Sequence, residues 1–84
     1  MKNIIMYSGP LCNFCDAAKR LLLRNNLEFK EIDISTKDGL REEMIKKANG
    51  RRTIPQIFFD NHHVGGYQEL RTLEKNGELN NLLK

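Results

Sequence analysis

Cysteine is scarce in this 84-residue chain: Cys12 and Cys15 are the only two. A small secreted domain held by disulfides usually carries about four to eight, so a structural disulfide framework is not expected, and the pair reads as one that cycles between thiol and disulfide. Long apolar runs are missing as well. No stretch approaches the roughly 18 residues of a membrane span, and the apolar part of Met1–Tyr7 is too short for a signal peptide. A cytoplasmic location with no membrane partner is the expectation. Charge of one sign is not gathered into blocks: 14 Lys and Arg alternate with 11 Asp and Glu to a formal +3. That argues against a nucleic-acid partner and leaves room for a small acidic ligand. No linker, repeat or low-complexity tract divides the chain, and its length holds one core, so residues 1–84 are expected to form a single domain.

What is present is an alternation of strand and helix patterns. Residues 2–7 (KNIIMY) form a short apolar run ended by Ser8-Gly9-Pro10, as a buried strand entering a turn would. From Cys12 onward, Cys15, Ala18, Leu21 and Leu22 recur at helical spacing until Asn25-Asn26 stops the pattern. Residues 28–34 (EFKEIDI) alternate as a strand does, and Leu40, Met44, Ile45 and Ala48 mark a second helix over about 37–48 that Asn49-Gly50 ends. Residues 56–60 and 62–65 flank Asp60-Asn61 as a hairpin. The stretch from Tyr67 to Leu83, broken at Gly77, reads as two short helices. The order β-α-β-α-β-β-α gives an α/β fold with a central four-stranded mixed sheet: a parallel pair joined by a crossover, an antiparallel hairpin, and helices on both faces.

Cys12 and Cys15 sit where the first turn becomes the first helix. A thiolate rather than a thiol attacks a disulfide, and the unpaired N–H groups and dipole of a helix start favour the charged form. Cys12 is therefore the expected nucleophile. Cys15, three residues on and one turn deeper, is placed to resolve a mixed disulfide. Zinc would need four ligands, and the only candidates to complete the pair, His62 and His63, are adjacent on a strand and face opposite sides, so at most one reaches. No metal is expected. The histidines read as surface or half-buried hairpin residues, and Lys19, Arg20 and Arg24 as mostly solvated.

Three separated motifs, Tyr7-Ser8-Gly9-Pro10-Leu11-Cys12-Asn13-Phe14-Cys15, Arg52-Thr53-Ile54-Pro55-Gln56-Ile57-Phe58 and Val64-Gly65-Gly66-Tyr67, together resemble a dithiol glutaredoxin over nearly the whole chain. The resemblance implies a thioredoxin-like fold and a glutathione-dependent thiol-disulfide oxidoreductase acting on protein disulfides and glutathione mixed disulfides, with glutathione as reducing cosubstrate, in a monomer. It implies that Pro55 follows a cis bond and that the Thr53-Ile54-Pro55 turn offers backbone groups of Ile54 to the cysteinyl part of glutathione. Gly65-Gly66 allows close approach, and the N–H groups of Tyr67 and Gln68 receive the γ-glutamyl carboxylate. Arg51 is implied at the opposite end, paired with the glycyl carboxylate. Tyr7, Phe14 and Tyr67 are either packing residues or substrate contacts. Three departures stand out: Asn13-Phe14 where dithiol members often read Pro-Tyr, Gly9 where a lysine is frequent, and Gln68-Glu69 where Asp or Ser is common. Two other readings share the fold: a carrier of a [2Fe–2S] cluster held by Cys12 and glutathione from two subunits, and a redoxin reduced by thioredoxin reductase.

Overall fold

Alternate residues along two short apolar segments point to opposite sides, and this sets the architecture. In the computed structural model, which describes residues 1–84, Ile4–Ser8 form strand β1 and Gln56–Phe59 form β3. Ile4, Met6, Ile57 and Phe59 face one way, into a core with Ala18, Leu21, Leu22, Leu70, Leu79 and Leu83. Tyr7 and Phe58 face the other way, against Met44 and Ala48. Both strands are central and covered on both faces, which is why their sequences run apolar without a polar side. Each large apolar side chain buried in this way contributes about 1.5–3 kcal/mol before conformational entropy is subtracted.

Lys30–Asp33 form β2 and His62–Gly65 form β4, giving a sheet in the order β2-β1-β3-β4. β1 runs parallel to β2 and antiparallel to β3, and β3 and β4 make the hairpin. Helix α1 (Asn13–Arg24), with α3 (Tyr67–Lys75) and α4 (Leu79–Leu83), covers one face, and α2 (Leu40–Lys47) covers the other. The mixed sheet and crossover agree with the sequence pattern, and the terminal segment divides into two helices at Asn76-Gly77.

Two boundaries differ from the periodicity. The second strand is shorter than residues 28–34, and the second helix begins at Leu40 rather than near 37. The cause is local: the Asp33 carboxylate accepts the Ser35 N–H at 2.8 Å and its hydroxyl at 2.6 Å, and Thr36 Oγ1 donates to the Asp33 carbonyl at 2.7 Å. These bonds turn the chain out of the strand before helical hydrogen bonding starts. The Asn49-Gly50 stop is as expected, with both residues at positive φ and Gly50 N–H donating to Ile45 O at 2.9 Å. Tyr7 is a packing residue: it is buried edge-on against Phe58, and its hydroxyl donates to Glu43 at 2.7 Å.

Helices α1 and α3 are joined by one carboxylate. Glu74 accepts both Nε (2.9 Å) and Nη2 (2.6 Å) of Arg24, Asn25 Nδ2 at 2.7 Å, and pairs with Arg71 at 3.2 Å. The Arg24 guanidinium and the Asn25 amide hold the Glu74 carboxyl down at about 2. A depressed folded value places the stabilisation above the unfolded carboxylate range and removes it as pH falls toward 2. Glu74→Gln is expected to lower Tm at pH 7 by about 4–8 °C, on the order of 1 kcal/mol for a bidentate pair whose Arg is half exposed. Thermal scans of both proteins between pH 7 and pH 2 should show the gap closing below about pH 4.5.

Candidate functional site

The first helix starts with a sulfur as its cap. Cys12 is the N-cap of α1 in an extended conformation, and its Sγ accepts the N–H of Cys15 at 3.1 Å. That N–H belongs to the first turn, where no intrahelical carbonyl is available, so the sulfur takes the place of a capping oxygen. Cys12 and Cys15 are disulfide-bonded with Cα atoms 5.2 Å apart. Cys15 is buried beneath while Cys12 is half-buried and reachable. Two of the three cations further along α1 are engaged elsewhere, Lys19 with Glu31 at 2.7 Å and Arg24 with Glu74, and Arg20 is exposed.

Opposite the sulfur lies the turn between α2 and β3. The Ile54–Pro55 peptide is cis, and the Ile54 carbonyl oxygen lies 3.8 Å from Cys12 Sγ. Gly9 passes so close to this turn that a Cβ there would meet Ile54 Cδ1 at 2.8 Å. The place where a family lysine is frequent is thus filled by tight packing. The turn is anchored from behind by Gln56, fully buried, whose amide nitrogen donates to Thr53 O (2.9 Å) and reaches Thr53 Oγ1 (3.3 Å). Because that nitrogen donates, Gln56 Oε1 accepts from His63 Nε2 at 2.7 Å, and the ring stacks on Phe58 at 4.9 Å. Burial lowers the His63 pKa, which suits a neutral ring. The sequence reading did not single out Gln56; the available signal was a polar residue opening an otherwise apolar strand just after Pro55. His63 is half-buried as expected, and His62 is exposed.

The third side is the start of α3. One extra residue on β4, Val64, bulges the pairing with β3 just before Gly65. Gly65 has φ +123°, and a Cβ on it would lie 2.6 Å from Glu69 Oε1. Glu69 Oε1 accepts the Gly66 N–H at 2.6 Å, and the Arg51 guanidinium donates to the same oxygen at 3.1 Å. The Gly66 amide, then Arg51, hold this carboxyl below its ordinary range despite partial burial. The N–H groups of Tyr67 and Gln68 follow in the first turn, without intrahelical acceptors. The Arg51 guanidinium lies beside the α3 start, where the Glu69 carboxylate accepts from it at 3.1 Å.

Arg51, Thr53, Ile54, Pro55, Gly66, Tyr67 and Gln68 all line one open groove of about 290 Å³. Phe14 and Glu69 complete it, Phe14 stacking on Tyr67 with ring centres 5.8 Å apart. This volume is near the lower end of small-ligand sites, about 300–1,000 Å³. Its walls offer free backbone donors, one cation and two aromatic faces beside a redox-capable sulfur.

A cis-proline turn facing a cysteine pair at a helix start, on a mixed four-stranded sheet, defines the thioredoxin-like class. Within that class, the sequence profile of the glutaredoxin family matches residues 4–64, and the chain belongs to that family. Glutaredoxin 3 of Escherichia coli K12 is 43% identical over 84 residues, covering all of both chains. The solution structure of a glutaredoxin from Brucella melitensis superposes with a TM-score of 0.86 at 48% identity, over 100% of this chain and 90% of that one. The crystal structure of a buckwheat glutaredoxin-glutathione complex shares the fold, with a TM-score of 0.87 at 21% identity over 98% of this chain and 76% of the other.

Proposed function

We propose that the protein reduces protein disulfides and glutathione mixed disulfides, with Cys12 as nucleophile, Cys15 as resolving thiol and glutathione as reducing cosubstrate. The observation that carries this reading is the Cys12 sulfur, capped by the Cys15 N–H at 3.1 Å and 3.8 Å from the Ile54 carbonyl that borders the groove. In the reduced protein that cap favours the thiolate. The Cys12 thiolate attacks the glutathione sulfur of a mixed disulfide, forming Cys12–S–S–glutathione and releasing the substrate thiolate, which takes up a proton. A second glutathione thiolate then attacks the glutathione sulfur, giving glutathione disulfide and restoring Cys12. With a protein disulfide, Cys12 forms the mixed disulfide with one substrate sulfur and expels the other. Cys15 thiolate then attacks Cys12 Sγ, releases the second substrate thiol and closes the Cys12–Cys15 disulfide, which two glutathione molecules reopen.

Glutathione is an extended peptide with a γ-glutamyl carboxylate. In this reading its cysteinyl portion lies along the Thr53-Ile54-Pro55 backbone and its γ-glutamyl carboxylate meets the Tyr67 and Gln68 N–H groups. Arg51 is close to that same carboxylate seat, where Glu69 now holds it. The buckwheat relative's complex supports glutathione as the ligand.

Titration of the protein with glutathione, followed by amide NMR, tests the groove. Shifts are expected at Ile54, Gly66, Tyr67 and Gln68 and not at Asp38 or Glu28, together with glutathione-dependent turnover of cysteine–glutathione mixed disulfide. Shifts confined to other surfaces, or no turnover, would overturn the assignment.

A further inference from the structure

Leu11 immediately precedes Cys12, and its side chain is fully exposed. Its backbone has φ +52°, the left-handed region that a leucine disfavours. Slack in the loop does not explain this. On one side Ser8 is buried, its hydroxyl donating to Glu31 at 2.6 Å and its carbonyl accepting the Ile34 N–H at 2.9 Å. Gly9 is packed against Ile54, and on the other side Cys12 is fixed as the α1 cap. A well-held turn therefore keeps a large apolar side chain in water, in an unfavourable conformation, with no compensating contact inside the fold. Such local strain beside a reactive group points to a role outside folding. Leu11 is also not part of the groove wall, so a ligand filling the groove leaves it uncovered.

We infer that Leu11 is a specificity-determining contact for the polypeptide that carries the disulfide, packing against an apolar side chain next to the substrate cysteine. The inference rests on the redox reading above. Leu11 and Cys12 are consecutive, with Cα atoms about 3.8 Å apart, and cysteines joined by a disulfide have Cα atoms about 5.5–6 Å apart, so a polypeptide that brings its sulfur to Cys12 passes within roughly 10 Å of Leu11. An apolar neighbour on the substrate then removes from water the leucine surface that the fold leaves exposed. A substrate too small to have neighbours gains nothing from it.

The test uses three substrates: a glutathionylated hexapeptide with Leu on both sides of its cysteine, the same peptide with Ser in those places, and cysteine–glutathione mixed disulfide. The unaltered protein is expected to favour the Leu peptide over the Ser peptide by about fivefold in kcat/KM. Leu11→Gly, which suits a positive φ, should erase that preference, leave the cysteine–glutathione rate within about twofold, and not lower Tm. Leu11→Met should retain the preference. A preference absent from the unaltered protein, unchanged in Leu11→Gly, or lost with equal damage on all three substrates overturns the inference, as does a fall in Tm that assigns Leu11 to the fold. Absence of turnover on every substrate by the unaltered protein sinks the redox reading itself, and this inference with it.

Discussion

Cys12→Ser is expected to reduce glutathione-dependent turnover of a small mixed disulfide by at least about a thousandfold, whereas Cys15→Ser is expected to keep most of it. The asymmetry follows from position. Cys12 Sγ receives an α1 first-turn N–H and is reachable, while Cys15 lies beneath it, buried, and its N–H is the donor rather than the recipient. A serine hydroxyl in the same cap still accepts that hydrogen bond, so Cys12→Ser should fold and fail only as a nucleophile. Cys15→Ser removes closure of the internal disulfide, which the mixed-disulfide route does not use, and should instead slow reduction of protein disulfides. The same variant isolates the Cys12 thiol for alkylation, whose pH profile should show a midpoint below the roughly 8.5 of a free cysteine. Turnover surviving in Cys12→Ser, or an alkylation midpoint at the free-thiol value, would remove the basis for assigning these roles.

Much of the scaffold was legible because it depends on neighbours in sequence. The alternation of Ile4 and Met6 against Tyr7, and of Ile57 and Phe59 against Phe58, predicts two covered faces, and the sheet has them. Helical spacing of Cys15, Ala18, Leu21 and Leu22 corresponds to the buried stripe of α1. Grouping Arg51, the Thr53-Ile54-Pro55 turn and Gly66-Tyr67-Gln68 required the family resemblance, since periodicity says nothing about which loops meet. What stayed hidden depends on contacts between distant residues. The guanidinium of Arg51 turns toward Glu69, 18 positions away, where it and the Gly66 N–H donate to one carboxylate oxygen. Gln56 donates to Thr53 through its amide nitrogen while its amide oxygen accepts from His63 of the next strand, a pairing that no local pattern announces. The left-handed backbone of Leu11 has no local signature, as leucine carries no preference for that conformation.

Gly65→Ala should be the most damaging single-methyl change near the groove. At φ +123° an L side chain is strained whatever the space, and here the space is occupied: the new Cβ would lie 2.6 Å from Glu69 Oε1, 2.9 Å from Glu69 Cγ and 3.0 Å from Arg51 Nη1. Neither neighbour moves freely. Displacing Glu69 breaks its bond to the Gly66 N–H, which caps α3, and displacing Arg51 removes the cation from the α3 start. Backbone strain of about 1–3 kcal/mol, with the lost cap adding about 1 kcal/mol, corresponds to a fall in Tm of about 10 °C or more for a chain of this length. Glutathione-dependent kcat/KM should fall alongside it, measured well below the new Tm so that unfolding does not contribute. Gly77→Ala supplies the comparison, because Gly77 also has a positive φ, +72°, but nothing lies within 4 Å of its would-be Cβ. It should lower Tm through backbone strain alone and leave turnover unchanged. If Gly65→Ala behaves like Gly77→Ala, losing stability but not turnover, then close approach at Gly65 does not shape the groove, and the α3 start is not where the ligand's carboxylate sits.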